Sequence, residues 1–321
     1  MTAAINVAGQ VRRHRLLMDD GARTYAESFG PARADVTVML AHGWCLDSSS
    51  WDDVTRLLLD KAPHVRVVRY DQRGHGRSRE ARPASRRVTP SVKRLGRDLL
   101  HLLEHLVPEG RLVLAGHSMG GMTIMAAAGM DPQFLRRTKG VALVSTSADT
   151  TQAHLPLLPD VIPLHWQGPL LAALMKALAA LPRVPEVVAD LAPASLAGLS
   201  PRVALGVDGT RRLLFGRDAS PEAVRAAHVM IGRTALSTVG GYFAHALATH
   251  DEREALSSLG SVPTKVLVGE LDRLTPVHHA QALAEAIDDS HLVELEGIGH
   301  MLPMEKPDVV ADALLEFVGE A

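Results

Sequence analysis

The stretch Leu112-Val-Leu-Ala-Gly116-His117-Ser118-Met119-Gly120-Gly121 sets an apolar run directly against a serine with a glycine two residues to either side. The run has the composition of a buried strand and Met119–Met130 that of a helix, so Ser118 stands at the turn between them. A backbone that turns this sharply passes close to itself, and glycines at 116 and 120 remove the side chains that would collide. The serine hydroxyl then projects clear of the turn. A helix opening at Met119 aims unpaired N–H groups and its positive dipole end at the same place, which suits the negative charge formed when the hydroxyl attacks a carbonyl. Ser118 is therefore the candidate nucleophile, and the Met119 N–H one candidate oxyanion donor.

Outward from this turn, short apolar runs alternate with segments of helical period. Strands are expected at Val36–His42, Val65–Tyr70, Arg111–Gly116, Gly140–Ser145, Thr264–Val268 and His291–Glu294. Helices are expected at Ser50–Asp60, Pro90–Leu106, Met119–Met130, Thr238–Leu259, Val277–Ile287 and Pro307–Gly319. That order is the signature of βαβ units, hence of an α/β fold: a doubly wound, mostly parallel sheet with helices on both faces. Residues 149–237 break the rhythm with many prolines and short Ala/Leu-rich helical patterns, as in Leu170–Leu181 and Pro221–Ile231, and carry no convincing strand. They read as an inserted helical cap, with residues 1–148 and 238–321 forming one core.

Composition bounds the partners. Among 321 residues, 34 basic and 36 acidic side chains leave a net charge of -2, too small a field to hold nucleic acid. The 46% hydrophobic content is that of an ordinary globular chain. Its longest apolar stretches, such as Val36–Ala41, are far too short for a membrane span. Arg12, Arg13, His14 and Arg15 interrupt any apolar run of a signal peptide, and the single cysteine, Cys45, excludes an intramolecular disulfide framework. A soluble, cytoplasmic protein acting on a small molecule is expected.

The glycine-flanked serine, the His42-Gly43-Trp44 turn, the loop Asp71-Gln-Arg-Gly-His-Gly-Arg-Ser78, Asp272 and His300 occur in an order that resembles the α/β-hydrolase superfamily, in particular its capped esterase- and lipase-like branch. The resemblance covers nearly the whole chain and implies a second oxyanion donor in the loop after the third core strand, the Trp44 N–H. It also implies that the catalytic acid and then the histidine follow the last two strands. His300 lies in the glycine-bearing loop Gly297-Ile-Gly299-His300 before the final helix and is the expected general base. Asp272, after the strand ending at Val268, matches the family's acid; Glu270 and Asp149 are the alternatives. His42 and the Asp71–Ser78 loop are read as structural supports.

The expected reaction is hydrolysis of a carboxylic ester of a small lipophilic substrate, with no cofactor. Serine chemistry of the same fold on thioesters, lactones or carbon–carbon bonds or in perhydrolysis, and ligand binding without catalysis, stay open. Trp44, Cys45 and Trp166 are the expected substrate contacts, the last within the apolar stretch Leu155–Met175. His101-Leu-Leu-Glu104-His105 matches an H-x-x-E-H metal signature, but the helix around it has an ordinary leucine stripe and no third ligand is evident, so no metal is expected. A Walker A or dinucleotide-binding glycine motif is absent.

Overall fold

A computed structural model describes residues 11–80, 89–149 and 201–319, the last of these with side chains from residue 206. Its elements in chain order are β1 (Arg12–Leu17), β2 (Arg23–Phe29), β3 (Val36–Ala41), α1 (Asp52–Lys61), β4 (Arg66–Asp71), α2 (Val92–Leu106), β5 (Arg111–His117), α3 (Met119–Met130) and β6 (Thr138–Val144). After residue 200 come α4 (Pro201–Leu214), α5 (Pro221–Arg233), α6 (Leu236–Tyr242), β7 (Thr264–Gly269), α7 (Val277–Ala286), β8 (Ser290–Leu295) and α8 (Pro307–Val318).

All eight strands join one sheet in the order β1-β2-β4-β3-β5-β6-β7-β8. The pairs β1·β2 and β2·β4 are antiparallel, and every other pair is parallel. Strands covered on both faces need apolar residues at every position, and β3 is buried throughout. One layer packs α2 and α3 against the sheet through Leu95, Leu99, Leu102 and Met125; the other packs α1 and α8 through Val54, Leu58, Val310 and Leu314. Each fully buried leucine here contributes about 1.5–3 kcal/mol. Helix α2 starts at a serine cap, Ser91 Oγ accepting from the Arg94 N–H at 3.1 Å.

The chain leaves β3 toward β4 and returns to β5 on the other side of β3. At such a reversal the loops after the two strands diverge and leave a crevice at the carboxyl edge of the sheet. The loop after β3 carries Trp44 and the turn after β5 carries Ser118.

Two expectations require correction. Strands β1 and β2 precede the first expected strand; β1 alternates half-buried and exposed residues and opens on Arg12-Arg-His-Arg15, so it carries no apolar run to betray it. The helix expected over Thr238–Leu259 is broken. It gives way after Tyr242 to a π turn at Phe243–Leu247, then to short turns at Arg253–Ala255 and Leu256–Leu259. Gly240 and Gly241 weaken it locally. Tertiary bonds also draw the chain back to the end of β6, where Glu252 N–H donates to the Ala148 carbonyl at 2.7 Å and Asp149 bridges Asp251.

Of the segment expected as a cap, α4 and α5 lie within the described residues, α4 being interrupted at Gly206 (φ 60°). With the segment from Leu236 on they pack around a third apolar cluster that includes Leu214, Phe215, Val224, Met230 and Phe243 and also takes in Cys45, Leu46 and Met301. Leu170–Leu181 and Trp166 fall outside the described residues.

Candidate active site

Ser118 sits between the last residue of β5 and the first of α3 at φ 52°, ψ -118°. A non-glycine residue holds such a backbone only at a cost on the order of 1–3 kcal/mol, so the surrounding structure must impose it. The imposing contacts are visible: a Cβ on Gly116 would lie 2.5 Å from the Gly120 carbonyl carbon, and one on Gly120 would overlap the Ala41 carbonyl. The Ser118 N–H donates to the Val144 carbonyl at 2.9 Å, and the Ser118 carbonyl accepts from Thr146 Oγ1 at 2.7 Å, so β6 holds the turn from the side. Ser118 is 9% exposed.

The loop after β3 closes over the same turn. A Cβ on Gly43 would lie 3.2 Å from Ser118 Cβ. His42 holds this loop in place: its Nδ1–H donates to the Gly43 carbonyl at 2.7 Å while its Nε2 accepts from the Gln72 N–H at 2.8 Å. Burial lowers the pKa of His42, and a proton on Nε2 would turn the Gln72 bond into a clash of donors. The Trp44 and Met119 main-chain N–H groups have no acceptor among the described residues. Trp44 is half-buried with its ring 5.8 Å from that of Phe243, and its indole N–H has no partner among the described residues. Cys45, at φ 62°, is buried in the cluster formed by α4, α5 and Phe243, and burial pushes its thiol well above its ordinary range.

The second half of the site is assembled from the loops after β7 and β8. His300 Nδ1–H donates to Asp272 at 2.8 Å (Oδ2) and 2.9 Å (Oδ1), and both residues are 4% exposed. Asp272 also accepts from the N–H groups of Leu274 and Thr275 and from Thr275 Oγ1, all at 2.9 Å. Burial alone would raise its carboxyl; the charge of His300 and these hydrogen bonds outweigh it and hold the carboxyl below its ordinary range. The alternatives lie elsewhere: Glu270 accepts from the Gly297 N–H at 2.9 Å, and Asp149 pairs with Arg253 at 3.3 Å.

His117 ties the halves together. Its Nε2–H donates to the His300 carbonyl at 2.8 Å, and the two rings stand 5.0 Å apart, which puts His300 beside the serine turn. Burial, and next the neighbouring His300, lower its pKa to about 3, so it stays neutral. Among the described residues no hydrogen bond joins the Ser118 hydroxyl to His300, whose ring bonds go to Asp272 and Thr275. Such bonds are often long before substrate binds.

Three supporting residues escaped the sequence. His117 stood inside the quoted motif without a role, Thr275 looked like an ordinary residue before Pro276, and Leu214, whose carbonyl accepts from the His300 N–H at 2.8 Å, lies far from it in the chain. The Asp71–Ser78 loop is braced as expected, Asp71 accepting from the N–H groups of Ser48 and Arg77. On the outer face of α2, donor atoms of His101, Glu104 and His105 lie within 4.8 Å of one another.

The model of the alpha/beta hydrolase family matches residues 38–313, which span the loop after β3, the serine turn and the histidine loop. The chain belongs to this family. It is 25% identical to a bifunctional esterase/perhydrolase of Acinetobacter calcoaceticus over 308 residues, 93% of this chain and 97% of the relative. It is 27% identical to an uncharacterized protein of Mycobacterium tuberculosis over 296 residues, 92% of this chain and 78% of the relative. Among solved structures, a thermophilic esterase from Thermogutta terrifontis superposes with a TM-score of 0.69 at 25% identity, covering 96% of this chain and 98% of that one. This hydrolase has the mostly parallel eight-stranded sheet of its family. No helix among its described residues is long and apolar enough to cross a membrane.

Proposed function

We propose that this hydrolase cleaves carboxylic esters of small lipophilic substrates through a Ser118–His300–Asp272 triad. One observation carries the reading: a buried carboxylate holds His300 by Nδ1 at 2.8 Å, leaving Nε2 as the free base, and His117 fastens that histidine next to Ser118. His300 Nε2 takes the hydroxyl proton as Ser118 Oγ attacks the ester carbonyl. The oxyanion forms against the main-chain N–H groups of Met119 and Trp44. The leaving alcohol takes the proton from His300, and a water activated by the same nitrogen hydrolyses the acyl-enzyme. Asp272 keeps the imidazole in the tautomer that this sequence requires.

Residues 149–237 act in this reading as a cap, and Trp44 and Cys45 lie on the acyl side of the pocket. Similarity to an esterase/perhydrolase and to a thermophilic esterase supports ester chemistry. The single cysteine accords with a reducing compartment, and the cytoplasm is the proposed location. A fluorophosphonate probe tests the reading directly: it is expected to label the wild type on Ser118 and to leave the Ser118→Ala protein unlabelled. An unlabelled wild type that also turns over no activated ester would overturn it.

A further inference from the structure

Glu305 takes no part in the chemistry above, yet three segments meet at its carboxylate. The chain leaving α4 lies against the histidine loop. The Leu214 carbonyl accepts from the N–H groups of His300 (2.8 Å) and Met301 (3.1 Å), and the Arg217 N–H donates to the Gly297 carbonyl at 3.2 Å. The fit leaves no room for side chains. A Cβ on Gly299 would lie 2.5 Å from the Phe215 carbonyl carbon and 2.6 Å from the Gly216 nitrogen; one on Gly216 would overlap the Gly297 carbonyl. At this seam Glu305 Oε2 accepts from the Gly216 N–H at 2.6 Å, and its two oxygens share the Gly299 N–H at 3.1 and 3.3 Å. One half-buried carboxylate thus binds one N–H from each side, and its own backbone N–H is tied to the Met301 carbonyl at 2.9 Å.

We propose that Glu305 is a positioning residue for His300. Its charge clamps Leu214–Arg217 onto Gly297–Met301, so the general base is located by the end of α4 as well as by its own loop. An acceptor-only group suits two converging donors, whereas an amide would turn an N–H against one of them. The catalytic consequence rests on the hydrolase reading above. The segment after α4 and His300 then move as one body, and a displacement of α4 reaches the base through the Leu214 carbonyl.

The test compares full-length wild type with Glu305→Gln by amide hydrogen exchange and by kinetics on a short p-nitrophenyl ester. Exchange at Gly216, Gly299, His300 and Met301 is expected to rise together by at least about tenfold, with the amides of β5 and α2 unchanged. Turnover is expected to fall roughly 10- to 100-fold through kcat, with KM kept within about twofold, because a misplaced base costs rate rather than binding. Glu305→Asp, which keeps the charge but withdraws it, gives a smaller loss of the same kind. Unchanged exchange at His300 and Met301 overturns the clamp, and so does a loss carried by KM alone. The exchange measurement needs no catalysis. A wild type inert to esters and to the fluorophosphonate therefore removes the hydrolase reading, while exchange still decides whether Glu305 holds the loop.

Discussion

The serine turn and the histidine loop are two halves of one candidate site built in opposite ways. The turn is local: ten consecutive residues, 112–121, supply the strand, the serine, the helix start and both glycines. Its strained φ at Ser118 is enforced mainly by its own glycines and by the adjoining strand β6. The histidine loop is a meeting place instead. Asp272 comes from 28 residues earlier, Leu214 and Gly216 from the far side of β7, and His117 from the turn itself. A chemically demanding geometry can therefore be written into a short motif when one backbone turn suffices. It must be distributed when an imidazole has to be held in one tautomer above another segment.

This contrast is most sharply tested by removing one group from each half. Ser118→Ala takes away the proposed nucleophile and is expected to cost on the order of 10⁶ in kcat for a p-nitrophenyl ester, with folding intact by circular dichroism, since triad members act as a unit. On the distributed side, Asp272→Asn is expected to cost roughly 10⁴ by forcing the wrong imidazole tautomer. Glu270→Gln, which only loosens the Gly297 N–H contact, costs far less under the same assay. A larger loss from Glu270→Gln than from Asp272→Asn would reassign the acid.

A smaller effect joins the halves through His117. Its folded-state pKa of about 3 lies below the ordinary value of 6.5, so between these values the unfolded chain binds a proton that the folded chain does not. Its contribution is therefore present above 6.5 and is lost as pH falls toward about 3. The slope is up to about 1.4 kcal/mol per pH unit from this one group. Urea midpoints measured across that range are expected to fall with pH, and to fall less steeply in His117→Gln. Equal slopes in the two proteins would mean that the His117–His300 bond does not couple protonation to folding.

The smallest effect concerns the acyl side. If the segment expected as a cap lines the pocket, kcat/KM rises by up to roughly 0.8 kcal/mol for each methylene added to the acyl chain until the pocket is full. A p-nitrophenyl series from acetyl to octanoyl, kept below the micelle threshold, measures it. A steady decline from acetyl onward would mean a small pocket and would discard the lipophilic preference.

What the sequence by itself determined is whatever one segment can encode alone. The parallel strands were legible because burial on both faces demands unbroken apolar runs, and β3, β5 and β7 carry them. The serine turn was legible because the strand, the serine and the glycines that its close approaches require are consecutive in the chain, and the order of Asp272 and His300 followed from the resemblance that the turn announced. The tertiary structure decided the rest. Edge strand β1 pairs by its backbone and hides behind arginines, so its composition is that of a surface loop. Which of Asp272, Glu270 and Asp149 bonds the His300 ring is a matter of which carboxylate comes within 2.8 Å of Nδ1, and spacing does not set that distance. The contacts of Leu214, Glu305 and His117 with the histidine loop are hydrogen bonds to main-chain N–H and carbonyl groups. Every residue owns such groups, so they leave no mark in the sequence, and only the folded chain selects which of them meet.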